Sequence, residues 1–324
     1  MSKVLPPAIF IMGPTASGKT DLAIALRKHL PVDLISVDSA QVYRQLDIGS
    51  AKPDATTLTE HPHRLIDIRD PAEVYSVAEF LKDATEQMAE ITAAGRIPLW
   101  VGGSMLYFKI LLKGLADLPE ANQGVRDQIQ QRADEFGWPS LYDELKQIDP
   151  QTAAKIHPNH SQRIQRALEV YQLTGMSMSH LQAATSNNGV LDYYSVVQFS
   201  LTFDDRALLH RRIEQRFEQM MSSGLLAEVV GLYEREDLNT DLPSMRAAGY
   251  QQIWQHLDGQ CTLEEAVERS IVASRQLAKR QITWLRNWPN AHEIQVDDGQ
   301  TYISLENSCK QCLKILSQHS ILRS

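Results

Sequence analysis

The stretch Ala8–Thr20, AIFIMGPTASGKT, decides the fold of this chain. Its first part, Ala8–Met12, is apolar and lies between a proline and a glycine, which predicts a buried parallel strand. The second part, Gly13–Thr20, fits the pattern G-x-x-x-x-G-K-[ST], and apolar residues follow at helical spacing over Thr20–Leu30. A loop of this pattern between a strand and a helix predicts a binding site for a diphosphate or a triphosphate.

Each residue type in this phosphate loop helps to hold an anion. The glycines let the backbone curl so that successive N–H groups face one anion, and the following helix adds its positive end. Lys19 supplies a point charge, and the hydroxyl of Thr20 is placed to bind Mg²⁺. Arg212 and Arg216 share a predicted helix face, and either could add a contact. The predicted phosphate-binding residues are Gly13, Pro14, Thr15, Ala16, Ser17, Gly18, Lys19, Thr20, Arg212 and Arg216.

Strand and helix patterns alternate along the chain, which is typical of a doubly wound α/β sheet. A helix is predicted over Val77–Ala94, ended by a glycine. Further strands are predicted over Asp33–Val37, Ile97–Val101, Tyr194–Phe203 and His292–Val296. The predicted fold class is therefore α/β, with a parallel-sheet core that contains the phosphate loop and with a helical insertion domain.

The helical insertion is predicted between Leu118 and Asn188, where strand patterns stop. Its predicted helices are Val125–Phe136, Trp138–Ile148, Pro150–Lys155 and Ser161–Thr174. The C-terminal part is helical again, over Arg206–Ser222, Gly224–Glu234, Ser244–Asp258 and Thr262–Trp288. We therefore divide the chain into a core of residues 1–117 and 190–324 and an insertion domain of residues 118–189.

The charge of the chain is unevenly distributed. Its 324 residues carry a net charge of −8, yet residues 269–289 hold five Lys or Arg and no acid. Residues 155–166 and 206–216 are also basic. A basic face on an acidic protein indicates a polyanionic partner, because the acidic remainder repels polyanions from other surfaces. No apolar run approaches the ~20 residues of a membrane helix, so we expect a cytosolic protein without a membrane partner.

Two polar residues follow predicted strands and should meet beside the phosphate loop. They are Asp38, after the second strand, and Ser104, after Gly102-Gly103 at the end of the third. Ligands of open α/β sheets collect at this edge. A carboxylate there suits Mg²⁺ coordination or proton abstraction, and capping of a helix is the structural alternative. We identify no water-positioning residue after Asp38, which disfavours nucleotide hydrolysis. The sequence also has no Asp-Asp-x-x-Asp cluster, by which isoprenoid synthases usually gather Mg²⁺ on a diphosphate.

A set of motifs running from residue 8 to about residue 290 resembles the bacterial tRNA dimethylallyltransferases. The motifs are GPTASGKT at Gly13–Thr20, DSAQVY at Asp38–Tyr43, GSAKP at Gly49–Pro53, HRLID at His63–Asp67, YSVAEF at Tyr75–Phe80, VGGSMLY at Val101–Tyr107 and KRQITWLR at Lys279–Arg286. The resemblance implies that the phosphate loop grips the diphosphate of dimethylallyl diphosphate. It also implies that the acceptor is N6 of the adenosine immediately 3′ of the tRNA anticodon.

The resemblance assigns roles to individual residues. Asp38 matches the aspartate that accepts the N6 proton, Ser104 matches a position that contacts the reacting groups, and Lys19 neutralises the leaving diphosphate. The residues implied to contact tRNA are Asp38, Ser39, Ala40, Gln41, Ser104, Arg126, Gln162, Arg163, Ile164, Gln165, Arg166, Arg246, Gly249, Tyr250, Gln251, Lys279, Arg280, Gln281, Thr283, Trp284 and Arg286.

Three residues depart from the family pattern. Ser104-Met105 replaces the usual Thr-Gly, and because Met105 does not freely adopt φ > 0, the turn is expected to differ there. Gln251 stands where Arg or Lys is common, which puts one phosphate contact in question.

Prenyl transfer to N6 requires three things of the protein. It must stabilise the departing diphosphate, remove the N6 proton and align the reactants away from water. Because adenine edges are inaccessible in stacked RNA, the base must be extruded. Trp284 could stack on it, and packing of this ring in the core is the alternative.

Other functions remain open on the residues alone. They are a small-molecule kinase with a phosphate loop, a prenyltransferase acting on AMP or ATP, and a nucleotide switch or RNA-binding module without transfer chemistry. The insertion and the basic helices favour tRNA over these, because a nucleotide-sized acceptor would not need them. Nothing in the sequence demands more than a monomer.

Overall fold

The structure is a computed structural model that describes residues 5–184 and 189–319. The chain divides into two units, which we call the core unit, Met1–Leu112 with Val190–Ser324, and the insertion unit, Lys113–Gly189. The insertion unit begins a few residues before the boundary predicted at residue 118. No helix among the described residues is both long and apolar enough to cross a membrane.

The core unit is built on one parallel sheet. Its strands within the described residues are β1 (Pro7–Met12), β2 (Val32–Val37), β3 (His63–Arg64), β4 (Ile97–Gly102), β5 (Ser195–Thr202) and β6 (His292–Gln295), in the order β3-β2-β4-β1-β5-β6. The central strands are apolar along their whole length because helices cover both faces of the sheet. The α/β prediction is confirmed, whereas the short strand β3 was not predicted.

Four helices connect the first strands of the core unit. They are α1 (Lys19–Arg27), α2 (Ala55–Glu60), α3 (Val77–Ala93) and α4 (Met105–Lys113). A capping box starts α3, where Ser76 and Glu79 each accept the other's backbone N–H through a side-chain oxygen. The sequence analysis missed α2 and α4. Most residues of α4 are apolar and buried, so it lacks the polar face by which a surface helix is recognised.

The insertion unit is helical. Its helices are α5 (Gln123–Phe136), α6 (Trp138–Ile148), α7 (Pro150–Ala153), α8 (Ser161–Thr174) and α9 (Met178–Ala184). They enclose an apolar cluster of their own, which includes Ile129, Leu141, Leu145, Ile164 and Leu168. The prediction placed α6 and α8 at their observed bounds and missed α9.

The rest of the core unit adds α10 (Arg206–Ser222), α11 (Leu225–Tyr233), α12 (Tyr250–Leu257), α13 (Leu263–Arg286) and α14 (Leu305–Gln318). The predicted helix Ser244–Asp258 is wrong at its start, because Gly249, with φ of 96°, breaks the helical path before Tyr250. The unpredicted α14 buries Cys309, Cys312 and Leu316 in the apolar cluster on one face of the sheet.

Sheet register brings the ends of three strands together. Val37 of β2 and Met12 of β1 both pair with Gly102 of β4. The residues that follow these strands therefore meet at one edge. They are the phosphate loop after β1, Asp38 after β2 and Gly103-Ser104 after β4, as expected for a ligand site of an open α/β sheet.

Candidate active site

The phosphate loop has the geometry of an anion cradle. Ala16 and Gly18 both have positive φ, 62° and 81°, so the backbone reverses twice before α1 begins at Lys19. A β-carbon on Gly13 would lie 2.6 Å from Ser17 Oγ, so this position has no room for a side chain. The buried hydroxyl of Ser17 has no hydrogen-bond partner among the residues that the structure describes. A polar loop with an unsatisfied buried hydroxyl fits a polar ligand.

Lys19 is buried at the centre of this loop. Its ammonium group donates to the carbonyl of Pro14, 3.3 Å away. Burial lowers the pKa of Lys19 to about 8, Asp38 opposes the shift and Arg216 adds to it. The side chain remains mainly cationic at neutral pH, in a position where a diphosphate would replace the solvation that it has lost.

Both candidate arginines of α10 lie against the phosphate loop. Arg216 donates to the hydroxyl of Thr15, and burial lowers its pKa. A β-carbon on Gly18 would lie 3.4 Å from the guanidinium group of Arg212, so this arginine lies close to the loop. The same guanidinium group stacks over the ring of Tyr302, 5.1 Å from the ring centroid. Of the two, Arg216 lines the main cavity described below. This placement makes it the stronger candidate for the diphosphate contact.

Asp38 is held in place by its own loop. One carboxylate oxygen accepts the backbone N–H groups of Ala40, at 2.9 Å, and Gln41, at 3.3 Å. This is an Asx turn, and it differs from the helix cap that was the structural alternative. The Gln41 amide in turn donates to the carbonyls of Ser50 and Ala51. The carboxylate of Asp38 lines the cavity beside Lys19.

Ser104 lies opposite Asp38 across the same sheet edge. Its hydroxyl oxygen accepts the N–H of Ser39 at 3.1 Å, which ties the β4 turn to the loop after β2. A β-carbon on Gly102 would lie 2.0 Å from the Val37 carbonyl oxygen, so the close approach of β4 to β2 at this point requires glycine. Met105 does not have a positive φ and is the first residue of α4, so this turn accommodates methionine without a left-handed conformation.

Gln281 of α13 links the phosphate loop to this turn. Its amide oxygen accepts the N–H of Thr15 at 2.8 Å, and its amide nitrogen donates to the carbonyl of Gly103 at 2.9 Å. The side chain is buried. Its contacts fit a residue that positions the site, whereas the resemblance implied contact with tRNA.

One cavity of about 740 Å³ joins these groups. Its polar end holds Thr15, Lys19, Asp38, Ser104 and Arg216, and an apolar wall is formed by Met105, Tyr107, Ile213, Phe217, Met220 and Leu277. Arg246, Gln251, Arg280 and Trp284 line it as well. The volume suits a prenyl diphosphate together with a nucleobase, and the mixed lining offers a surface to each part of both ligands.

A second, smaller cavity of about 60 Å³ lies behind the phosphate loop. Its lining includes Thr20, Ser36, Asp38 and His63. Nδ1 of His63 lies 2.7 Å from the carbonyl of His61, while Nε2 is buried without a hydrogen-bond partner. Among the described residues no three His, Cys, Asp or Glu side chains form a metal cluster. A hydroxyl and one carboxylate still fit Mg²⁺, which keeps water and binds substrate phosphates.

The remaining α12 and α13 candidates divide between different surfaces. Trp284 is 38% exposed and lines the main cavity, so the alternative that this ring packs in the core is wrong. Tyr250 is fully buried and donates to Glu228 at 2.6 Å, which leaves its side chain no direct path to RNA. Lys279, Thr283 and Arg286 line a separate groove on the other side of α13.

The predicted tRNA-contacting residues of the insertion unit also differ in whether their side chains are free to contact a partner. Arg126 and Arg166 both donate to the carboxylate of Glu169, which is fully buried. Ile164 is buried in the apolar cluster of this unit, and Gln165 donates to the backbone carbonyl of Arg126. Gln162 and Arg163 are exposed. These two therefore have the freest side chains for a partner.

Glu228 of α11 was missed by the sequence analysis. Its carboxylate accepts the backbone N–H groups of Asp47, at 3.1 Å, Ile48, at 2.7 Å, and Gly49, at 3.1 Å. The loop that it anchors carries Ser50, which lines the main cavity. The available signal was a single acid within the apolar helix LLAEVVGLY.

Comparisons with known proteins show the family to which the chain belongs. The family model described as IPP transferase matches residues 41–288. The chain is 54% identical to tRNA dimethylallyltransferase 2 of Hahella chejuensis, over 92% of this chain and 93% of that protein. It is 38% identical to the solved tRNA isopentenylpyrophosphate transferase of Bacillus halodurans, with a TM-score of 0.69 over 96% of each chain. A eukaryotic dimethylallyltransferase acting on tRNA, 23% identical over 98% of this chain and 79% of its own, shares the fold with a TM-score of 0.82.

Proposed function

The chain belongs to the IPP transferase family, and on that premise we propose that it transfers a dimethylallyl group from dimethylallyl diphosphate to tRNA. The acceptor atom is N6 of the adenosine 3′ of the anticodon, and diphosphate is released. The proposal rests on one observation. Lys19, Asp38 and Ser104 all line the main cavity, whose volume suits a prenyl diphosphate together with a nucleobase. The basic lining near the cavity favours RNA over a free adenine nucleotide as acceptor.

The phosphate loop binds the leaving group. Its backbone N–H groups, Lys19 and Arg216 neutralise the charge that grows on the diphosphate as the C1–O bond breaks. The prenyl tail lies on the apolar wall, against Met105, Phe217 and Met220. Fixing the donor at both ends directs C1 toward the acceptor and excludes water.

Asp38 takes the N6 proton. Two backbone N–H groups donate to one oxygen of its carboxylate and so fix its orientation. Asp38 also lines the main cavity. The new bond joins N6 to C1, the C1–O bond breaks and the proton passes to Asp38. The Ser104 hydroxyl contacts the reacting groups, and its oxygen also accepts a hydrogen bond from the N–H of Ser39.

Thr20 would hold a Mg²⁺ ion beside this site. The ion would supply further charge neutralisation on the leaving group. Thr20 is the one direct protein ligand that we assign.

The target adenine must leave its stacked position in the RNA to reach Asp38. Trp284, exposed at the cavity, offers a flat surface for it, and Lys109 lies 5.7 Å from the centre of this ring. Arg246, Gln251 and Arg280 line the same cavity and are placed to contact flanking nucleotides. We propose that the protein acts on tRNA as a monomer in the cytoplasm.

Radiolabelled dimethylallyl diphosphate incubated with total tRNA, with AMP or with no acceptor tests this function. We expect label in tRNA alone, and none with the Lys19→Ala variant. Label in AMP would instead favour an adenylate prenyltransferase. Phosphate transfer from ATP without prenylation would favour a kinase.

A further inference from the structure

Glu228 is the single acidic residue of α11, and its carboxylate faces a loop of the core unit. It accepts the backbone N–H groups of three consecutive residues, Asp47, Ile48 and Gly49, at 2.7 to 3.1 Å. The hydroxyl of Tyr250 donates to the same carboxylate at 2.6 Å. Glu228 forms no ion pair with any residue that the structure describes. Four neutral donors therefore take the place of a cation beside this charge.

Tyr250 is held as a donor in this arrangement. Its side chain is fully buried, and burial, followed by the charge of Glu228, raises its pKa. The hydroxyl therefore stays protonated at neutral pH and donates a hydrogen bond to Glu228. A β-carbon on Gly49 would lie 2.6 Å from the Tyr250 ring, so the loop packs directly against α12.

Residues 47–51, which we call the 47–51 loop, connect Glu228 to Asp38. Ser50 of this loop lines the main cavity. The side-chain amide of Gln41 donates to two carbonyls of the loop, at 3.3 and 3.2 Å. The backbone N–H of Gln41 donates to the carboxylate of Asp38 at 3.3 Å. A displacement of the loop would therefore move Gln41, and with it one of the two donors that orient Asp38.

Lys52 holds the other end of the 47–51 loop. Its side chain is 3% exposed and donates to the carboxylates of Asp47 and Asp67. It also donates to the carbonyl of Tyr43 at 2.9 Å. Loss of the Glu228 contacts would therefore release one end of the loop and leave the other end in place.

We propose that Glu228 is a positioning residue for prenyl transfer, which acts with Tyr250 to hold the 47–51 loop and, through Gln41, the carboxylate of Asp38. The inference rests on the proposed function, in which Asp38 takes the N6 proton. A general base must lie within about 2.6–3.2 Å of the atom that it deprotonates, so a small shift of Asp38 slows the transfer.

Binding of the prenyl donor should not depend on Glu228. The phosphate loop is held by other contacts, because Gln281 accepts the N–H of Thr15 and Arg216 donates to the Thr15 hydroxyl. A positioning role therefore predicts a slower transfer step with unchanged donor affinity.

Two substitutions test this role. Glu228→Gln keeps the size of the side chain and removes one accepting oxygen. It should slow single-turnover prenylation of tRNA about 10- to 100-fold, because a shift of about 1 Å can cost about 100-fold. Tyr250→Phe removes one of the four donors and should slow it by a smaller factor, about 3-fold or more. The dissociation constant of dimethylallyl diphosphate should equal that of the wild type in both variants.

Two side chains at the C-terminal end of α11 provide matched controls. Glu234→Gln removes an exposed carboxylate. Tyr233→Phe breaks another bond between a tyrosine and a carboxylate, since the Tyr233 hydroxyl donates to Asp258 at 3.0 Å. Both control variants should transfer the prenyl group at the wild-type rate.

A combined variant separates positioning from a merely structural role. Glu228→Gln should cause no further loss in the Asp38→Asn protein, because the base that it orients is already removed. Losses that multiply would overturn the proposal. A wild-type transfer rate in folded Glu228→Gln would also overturn it. If Glu228→Gln does not fold, Tyr250→Phe, alone and combined with Asp38→Asn, decides by the same results.

The wild-type protein separates the two proposals. Absence of prenylation by the wild type would overturn the proposed function and the positioning role with it. Prenylation by the wild type and by Glu228→Gln at equal rates would overturn the positioning role alone.

Discussion

Two arginines of the insertion unit and two arginines of helices α10 and α13 in the core unit have opposite roles. In the insertion unit, Arg126 and Arg166 converge on Glu169, whose side chain is 0% exposed. In the core unit, Arg206 and Arg280 form no ion pair with any described residue. The first arrangement uses charge to hold a fold together, and the second leaves charge available for a ligand. A count of basic residues does not distinguish the two.

The largest expected effect comes from breaking the buried cluster. Glu169→Ala should destabilise the insertion unit by about 3 kcal/mol, the low end of the about 3–5 kcal/mol typical of a broken buried pair. The low end applies because the two arginines, 35% and 29% exposed, can regain water. Thermal or denaturant unfolding measures the change. Glu144→Ala, which breaks the partly exposed pair with Arg132, is the control and should cost less than about 1 kcal/mol.

The same cluster should make stability depend on pH. Burial alone would raise the pKa of Glu169, but hydrogen bonds from Arg166, Asn122 and Arg126 prevail and lower it. The stabilisation is therefore present above the pKa of an unfolded glutamate and is lost as pH falls through the lower, folded pKa. An acid unfolding profile that is the same for the wild type and Glu169→Gln would contradict this.

In the core unit, a charge change should affect chemistry and leave stability intact. Asp38→Asn should lower turnover by about 100-fold or more, the lower range for loss of a general base, with donor affinity unchanged. Single-turnover prenylation and unfolding measurements check both parts. Asp21→Asn, on the exposed first turn of α1, is the control. Near-normal turnover would remove Asp38 from the reaction.

Two aromatic residues with equal exposure sharpen the comparison. Trp284 in the core unit and Tyr171 in the insertion unit are both 38% exposed. Trp284→Ala should weaken tRNA binding by roughly 5- to 150-fold, since stacking on one base contributes about 1–3 kcal/mol. Tyr171→Ala should change it little. Equal losses would mean that the insertion unit also stacks a base.

The smallest effect is expected for an exposed arginine of the insertion unit. Arg163→Ala should lower the salt slope of tRNA binding by about one without changing unfolding. Arg126→Ala should change unfolding first, because its guanidinium contacts Glu169. Changed unfolding in Arg163→Ala, or a changed salt slope with unchanged unfolding in Arg126→Ala, would contradict this assignment of Arg163 to a ligand and of Arg126 to the fold.

Several elements of the fold could be predicted from local pattern. Strand β1, the phosphate loop and helix α8 each carry a pattern within consecutive residues, so their local conformation follows from short-range rules. Helices α4 and α14 were missed. The buried faces of these helices are defined by elements distant in the chain, which no window of sequence contains.

The predicted positions were correct for residues beside strand ends and incomplete elsewhere. Asp38 and Ser104 follow β2 and β4, so sheet topology alone brings them to the phosphate loop. Gln281 and Glu228 reach that region from helices, and Gln281 bonds Thr15 across a separation of 266 residues. Such pairs depend on how helices pack, and the type of residue does not specify the partner.

The sequence by itself determined a phosphate loop on a parallel sheet, the residues beside it and the family to which the motifs belong. Each of these is encoded by consecutive residues or by the order of strands. Only the tertiary structure decided that Arg126 and Arg166 pair with Glu169, that Tyr250 is buried, and that α13 borders two separate cavities. The physical reason is that a side chain's burial and partners depend on packing between distant elements, whereas its backbone conformation is largely local.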